Sequence, residues 1–249
     1  MNLLSFAQSN NEMVELIDNN KFEGKIYRIE DFSTKYIKPR NVDIWVPTNY
    51  SKEKKYSVLY KHDGQMLFDA TITWNKQEWM VDDVLSKLTS ENKINDVIVV
   101  AIWNIPSIRH SDLFPKKPLL GLNQDEQKLI FEEAHKINYK FNLDDINSDN
   151  YLKFIVEEVK PFVDSNFSVF TDANHTAIMG SSMGGLISMY AICEYPKVFS
   201  KAACLSTHWL GFREFDNNPI PESFFKYMSA NLPDPKNHKI YFDYGTETL

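Results

Sequence analysis

Ser182 stands in His175-Thr-Ala-Ile-Met-Gly-Ser-Ser-Met-Gly-Gly-Leu-Ile-Ser-Met-Tyr190, with Gly180 two places before it and Gly184 two places after. This G-x-S-x-G spacing suits a sharp strand-to-helix turn that lifts a serine hydroxyl over the end of a sheet, where it can attack an acyl carbon. The turn brings the backbone against itself, so both flanks need small residues; centring it on Ser181 would put Met179 and Met183 there. Acyl transfer also needs a base, an acid that orients the base, and two N–H donors for the oxyanion. The residue after the serine, Met183, supplies one donor. The second comes from a loop after an earlier strand. His62-Asp-Gly-Gln-Met-Leu-Phe-Asp69 is placed for it, with Gly64 turning the backbone so that the Gln65 N–H faces the oxyanion. One imidazole and two carboxylates in that loop (His62, Asp63, Asp69) are thin support for a metal site, and the chemistry calls for no metal or organic cofactor.

The elements that must hold these groups are legible as alternating strands and helices, which predicts a mostly parallel sheet covered on both faces. Lys25–Ile29 and Val42–Val46 alternate like an opening antiparallel pair, and Tyr56–Tyr60 follows as a strand ending at the His62 loop. The unbroken apolar run 96–102 reads as a buried strand, and helices are expected over 79–88, 152–163 and 222–232. Thr176–Met179 is the strand before Ser182, and Leu186, Met189, Tyr190 and Cys193 give helical spacing after it. Strands at 202–206 and 239–244 complete the pattern. Residues 21–249 form one domain. A polar insertion at 116–148, with a helix at 124–135, is either a cap over the site or a surface embellishment. Residues 1–20 read as an N-terminal extension or as the remnant of a signal peptide, which leaves cytoplasmic and periplasmic or secreted locations both open.

Composition excludes several classes. The 249 residues carry 27 Lys and Arg against 34 Asp and Glu, a net charge of −7 that repels nucleic-acid phosphates. No apolar run approaches the roughly 20 residues of a membrane span. Cys193 and Cys204 fall in apolar runs and read as buried small hydrophobes rather than a disulfide framework. Oligomeric state leaves no signature.

Further segments carry a resemblance. They are Leu59-Tyr-Lys-His-Asp-Gly-Gln-Met-Leu-Phe-Asp69, Ile102-Trp-Asn-Ile-Pro-Ser-Ile-Arg-His-Ser-Asp-Leu-Phe-Pro115, Gly180-Ser-Ser-Met-Gly-Gly185, Ala203-Cys-Leu-Ser-Thr-His-Trp209 and Tyr241-Phe-Asp-Tyr-Gly-Thr246. In this order they resemble the Putative esterase family of α/β hydrolases, which includes esterase D, enterochelin esterases, and feruloyl and acetylxylan esterases. The resemblance implies an α/β-hydrolase fold, nucleophile Ser182 and oxyanion donors Gln65 and Met183. It also implies that Asn104 and Arg109 lie near the substrate, although Arg109 is equally placed to pin its loop through Asp112. In that fold the acid follows the seventh strand and the histidine the eighth. Glu247 is then the acid available after the last strand, and the usual histidine loop, with the last strand and helix, is expected beyond Leu249. An uncovered, less stable sheet edge is expected with it.

His208, just after the sixth strand, is expected at the carboxyl edge within reach of Ser182; with Trp209 it is read first as pocket wall and second as the base. His110 and His135 read as solvated, and His175 and His238 lie at the wrong end of the sheet. The expected activity is hydrolysis of a small-molecule or carbohydrate-linked ester through an acyl-enzyme. An acyltransferase that passes the acyl group to an alcohol, and a non-catalytic hydrolase-like protein, are the alternatives.

Overall fold

The run Val97-Ile-Val-Val-Ala-Ile102 becomes a strand whose last five residues are buried, and the sheet extends on either side of it. The computed structural model describes residues 11–16, 22–138 and 141–245. The strands are β1 (Val14–Leu16), β2 (Lys25–Ile29), β3 (Val42–Val46), β4 (Ser57–His62), β5 (Val97–Ile102), β6 (Thr176–Ser181), β7 (Lys201–Leu205) and β8 (Lys239–Phe242). They form one sheet in the order β1-β2-β3-β5-β4-β6-β7-β8. The first three strands and the β3–β5 pair are antiparallel, and β5, β4, β6, β7 and β8 run parallel. Parallel pairing puts the ends of β4, β5, β6 and β7 on one edge, so the loops that start at His62, Ile102, Ser181 and Leu205 meet there.

Side chains alternate between two faces. On one face Tyr60, Val100, Ile102, Ile178 and Cys204 pack under α5 (Ser148–Lys153), α6 (Lys160–Asn166), α7 (Met183–Glu194) and α8 (Ile220–Asn231). On the other, Trp45, Val99, Ala101 and Leu67 pack beneath Val81 and Leu85 of α1 (Val81–Ser90). Helices therefore cover both faces, as the alternating pattern predicts. Between α5 and α6 the chain passes through a π-helical segment at Phe154–Val159 just before Pro161. A proline ring clashes with the carbonyl four residues back, and widened turns relieve that clash.

Several elements differ from expectation. Val14–Leu16, within the stretch read as an extension, adds an edge strand to β2. The helix expected from residue 79 starts at Val81, and Trp79 stays in the preceding loop with its N–H bonded to the Met66 carbonyl at 3.0 Å. The insertion contains α3 (Lys116–Leu120) and α4 (Gln124–Lys136), preceded by α2 (Arg109–Leu113). It is tied to the body by buried Leu119, Ile130, Ala134 and Ile146 and by the Arg213–Glu133 ion pair. At the far edge of the described sheet, β8 exposes Tyr241 and Phe242. No helix among the described residues is long and apolar enough to cross a membrane.

Candidate active site

The turn from β6 into α7 places Ser182 at φ 58° and ψ −118°, a conformation that L-residues rarely adopt. The Ser182 N–H donates to the Leu205 carbonyl at 2.9 Å, and the Ser182 carbonyl accepts from Gly185 and His208, so the turn is anchored to β7 and the loop after it. A Cβ on Gly180 would lie 2.5 Å from the Gly184 backbone, and one on Gly185 would lie 2.8 Å from the Thr207 hydroxyl. A Cβ on Gly184 would meet only ordinary contacts at 3.5 Å from Asp63 and His62. The steric demand thus falls on Gly180 and Gly185; Gly184 contributes the backbone that Gly180 must clear.

Met183 opens α7, so its N–H has no acceptor within the helix and lies at the positive end of the helix dipole. Across the cleft, the chain leaving β4 enters a short 3-10 turn at Gly64–Met66. Gln65 is inside the first turn, where the main-chain N–H is also without a helical acceptor. Its side chain is committed elsewhere, with Oε1 accepting from the Asn104 N–H at 3.1 Å. The left-handed backbone falls on Asp63 (φ 58°, ψ 46°) and not on Gly64. Gly64 is instead required for space, because a Cβ there would lie 2.6 Å from the Ala101 carbonyl carbon of β5.

Asp63 is fixed by three charge-assisted or amide bonds. Arg109 Nε and Nη2 donate to its two oxygens at 2.7 and 2.8 Å, and Asn104 Nδ2 donates to Oδ1 at 2.6 Å. Burial alone would raise the Asp63 carboxyl, but these donors outweigh it and hold the group below its ordinary value. The pairing of Arg109 with Asp112 that sequence left open does not form: Asp112 pairs with buried Arg40 at 2.9 Å. Asn104 and Arg109, expected near substrate, do line the cleft at Ser182, yet their polar groups are spent largely on Asp63. Asp69 caps Thr71 and His62 faces Tyr151, so the three polar residues of this loop are engaged with different partners.

The cleft beside the serine has a volume of about 370 Å³ and is lined by Met66, Trp74, Trp79 and Pro106 on its apolar side. Trp74 and Trp79 are 86% and 45% exposed. Trp209 packs at a tilt against Phe225 and Phe242, with ring centroids 5.0 and 5.7 Å away, and so joins α8 to β8. No described residue of the 116–148 insertion lines this cleft.

Among the described residues, the Ser182 hydroxyl has no hydrogen-bond partner. His208 reaches the elbow through its main chain, its N–H donating to the Ser182 carbonyl at 3.3 Å. Burial lowers its pKa from the ordinary imidazole value. His110 is not solvated as expected. Its Nε2 meets the Gly211 carbonyl at 2.9 Å, and burial pushes its pKa down to about 4. His175 and His238 bond Asp172 and the Asp234 carbonyl away from the serine. Both cysteines are buried, with thiols pushed up to about 12 by desolvation. Glu247 lies outside the described residues.

The family model described as Putative esterase matches residues 33–114 and 123–248, which include the Asp63 loop, the elbow and β8. The chain belongs to that family. It is 24% identical over 172 residues to YbbA of Bacillus subtilis strain 168, covering 68% of this chain and 58% of YbbA. An IroE-like serine hydrolase from Shewanella oneidensis superposes with a TM-score of 0.59 at 22% identity, over 88% of this chain and 60% of that one. A ferulic acid esterase from Anaeromyces mucronatus, solved in complex with ferulic acid, superposes with a TM-score of 0.53 at 16% identity, over 96% of this chain and 85% of that one. The chain thus spans less than two thirds of the length of YbbA and of the Shewanella protein. The structural likenesses establish the α/β-hydrolase fold of this esterase family member.

Proposed function

We propose that the protein is a serine ester hydrolase with Ser182 as nucleophile. The observation that carries this is the strained Ser182 turn, its hydroxyl unengaged, set between the unaccepted N–H of Met183 and the Gln65 turn. Ser182 Oγ attacks the ester carbonyl and loses its proton to an imidazole. The carbonyl oxygen becomes an oxyanion held by the Gln65 and Met183 amides, and the alcohol leaves with the proton. Water then adds to the acyl-enzyme by the same route and releases the acid.

We assign Asp63, Asn104 and Arg109 to the wall and frame of the oxyanion side, and Trp74, Trp79, Met66 and Pro106 to the acyl group. A flat, largely apolar acyl group matches that aromatic side, and a relative named as a ferulic acid esterase supports the same substrate class. His208 is assigned to the elbow's support, because its main-chain N–H holds the Ser182 carbonyl while no hydrogen bond among the described residues joins its ring to the serine.

Labelling with a fluorophosphonate, located by peptide mass spectrometry, tests the assignment. Covalent modification at Ser182, absent after Ser182→Ala and retained after His208→Asn, is expected. A folded wild-type protein that takes up no label, or is labelled elsewhere, overturns the nucleophile. Loss of labelling in His208→Asn with folding intact would make His208 the base. Added alcohols that gain the acyl group would show transfer in place of hydrolysis.

A further inference from the structure

Lys61 precedes the oxyanion-side loop in β4 and is only 3% exposed. Strand alternation turns it to the face that carries Leu59, Val99 and Ala101, opposite to His62 and Tyr60. No carboxylate among the described residues pairs with it. Its ammonium instead sits 4.5 Å from the centroid of the Trp79 ring. Among the described residues Asp63 is the charge that favours its ammonium, and that carboxylate is already paired with Arg109. Burial accordingly drives the Lys61 pKa down to about 8. An apolar side chain of the same length would fill this site without any desolvation cost. What the cation adds is attraction to the face of an indole, strongest where water is excluded.

Trp79 is the other end of this contact. It belongs to no helix or strand, and its main chain is tied to the 3-10 turn by the Trp79 N–H to the Met66 carbonyl. Its ring lines the cleft that contains Ser182. We propose that Lys61 is a positioning residue: its buried ammonium holds the Trp79 indole as a wall of the Ser182 cleft, and so sets the fit of large acyl groups. The inference rests on the ester-hydrolase reading and deepens it by naming what controls acyl selectivity. A merely structural lysine would act through its methylene stem, which methionine reproduces without the charge.

The test compares Lys61→Met, Lys61→Arg and Trp79→Leu using para-nitrophenyl acetate and para-nitrophenyl phenylpropanoate. Lys61→Met should raise KM for the phenylpropanoate roughly tenfold with kcat little changed, a change of about 1.4 kcal/mol that lies within the range of a partly exposed cation–π contact. KM for the acetate should stay at the wild-type value, and Lys61→Arg should restore the phenylpropanoate. Trp79→Leu should raise the same KM on its own, and adding Lys61→Met to it should have no further effect. A second readout needs no turnover. The Trp79 share of the emission, taken as wild type minus Trp79→Leu, should be quenched by acrylamide about twice as readily in Lys61→Met, and as in wild type in Lys61→Arg. Unchanged quenching, equal KM increases for both esters, or a silent Trp79→Leu each overturn the proposal. Should neither ester be turned over by wild type, the hydrolase reading fails, and the quenching series still decides whether Lys61 holds Trp79.

Discussion

Asp63 is the residue through which the proposed oxyanion side is held in place. Its left-handed backbone is unfavourable for a residue with a side chain and is kept by the Arg109 and Asn104 donors. The Gln65 amide is two residues on, so its direction depends on that clamp. Asp63→Asn removes the negative charge that neutralises Arg109 and cannot accept the guanidinium at two oxygens. Since loss of one oxyanion donor costs about a hundredfold or more, its misalignment should lower kcat about tenfold to a hundredfold with KM nearly unchanged. Steady-state kinetics with a small ester checks this, and a variant that alters only KM would return Arg109 and Asn104 to substrate contact. Gly180→Ala is more severe. A methyl 2.5 Å from the Gly184 backbone has no flexible neighbour to displace, so the elbow itself must open. Folded Gly180→Ala should lose fluorophosphonate labelling at Ser182.

At the scale of elements, the site is held by strand ends and its surroundings by helices. α4 begins with a capping box in which Asn123 Oδ1 accepts from the Glu126 N–H at 2.9 Å and Glu126 Oε2 accepts from the Asn123 N–H at 2.8 Å. Removing an N-cap side chain costs about 1 kcal/mol. Asn123→Ala should therefore lower Tm by about 2–4 °C in a calorimetric scan. Labelling at Ser182 should be unaffected, because none of the insertion's described residues lines that cleft. A loss of labelling would make the insertion a working cap after all.

For the whole molecule, buried neutral histidines set the acid limit. Desolvation lowers His62 from 6.5 to about 3 and His110 from 6.5 to about 4. The unfolded chain protonates both near pH 6.5, while the folded chain binds neither proton until much lower pH. Stability from these groups is therefore fully present above pH 6.5 and falls as pH drops towards 4, then towards 3 for His62. The slope is about 1.4 kcal/mol per pH unit for each histidine. Tm measured from pH 7 to pH 4 should decline steeply, and His110→Asn should flatten part of that decline. A Tm indifferent to pH across this window would remove both histidines from the account.

The elbow, the order of strands and helices, and the loop that faces the serine were all legible in the residues. Each is a matter of local backbone geometry and short-range apolar periodicity, which neighbouring residues dictate. Val14–Leu16 escaped because a three-residue edge strand has too short a period to read, and Trp79 escaped because its N–H is taken by Met66. The choice of partners lay elsewhere. Arg109 stands three residues from Asp112 but bonds Asp63, forty-six positions away, because the parallel pairing of β4 with β5 brings those two loops together. Gly64 was expected for its dihedral freedom, yet its necessity comes from the β5 backbone pressed against it. Trp209 was expected at the substrate and is claimed by Phe225 and Phe242. The burial of Lys61 beneath Trp79 had no local sign at all. Burial and long-range pairing are properties of the folded sheet: they depend on which segments it places side by side, and a linear spacing does not carry that.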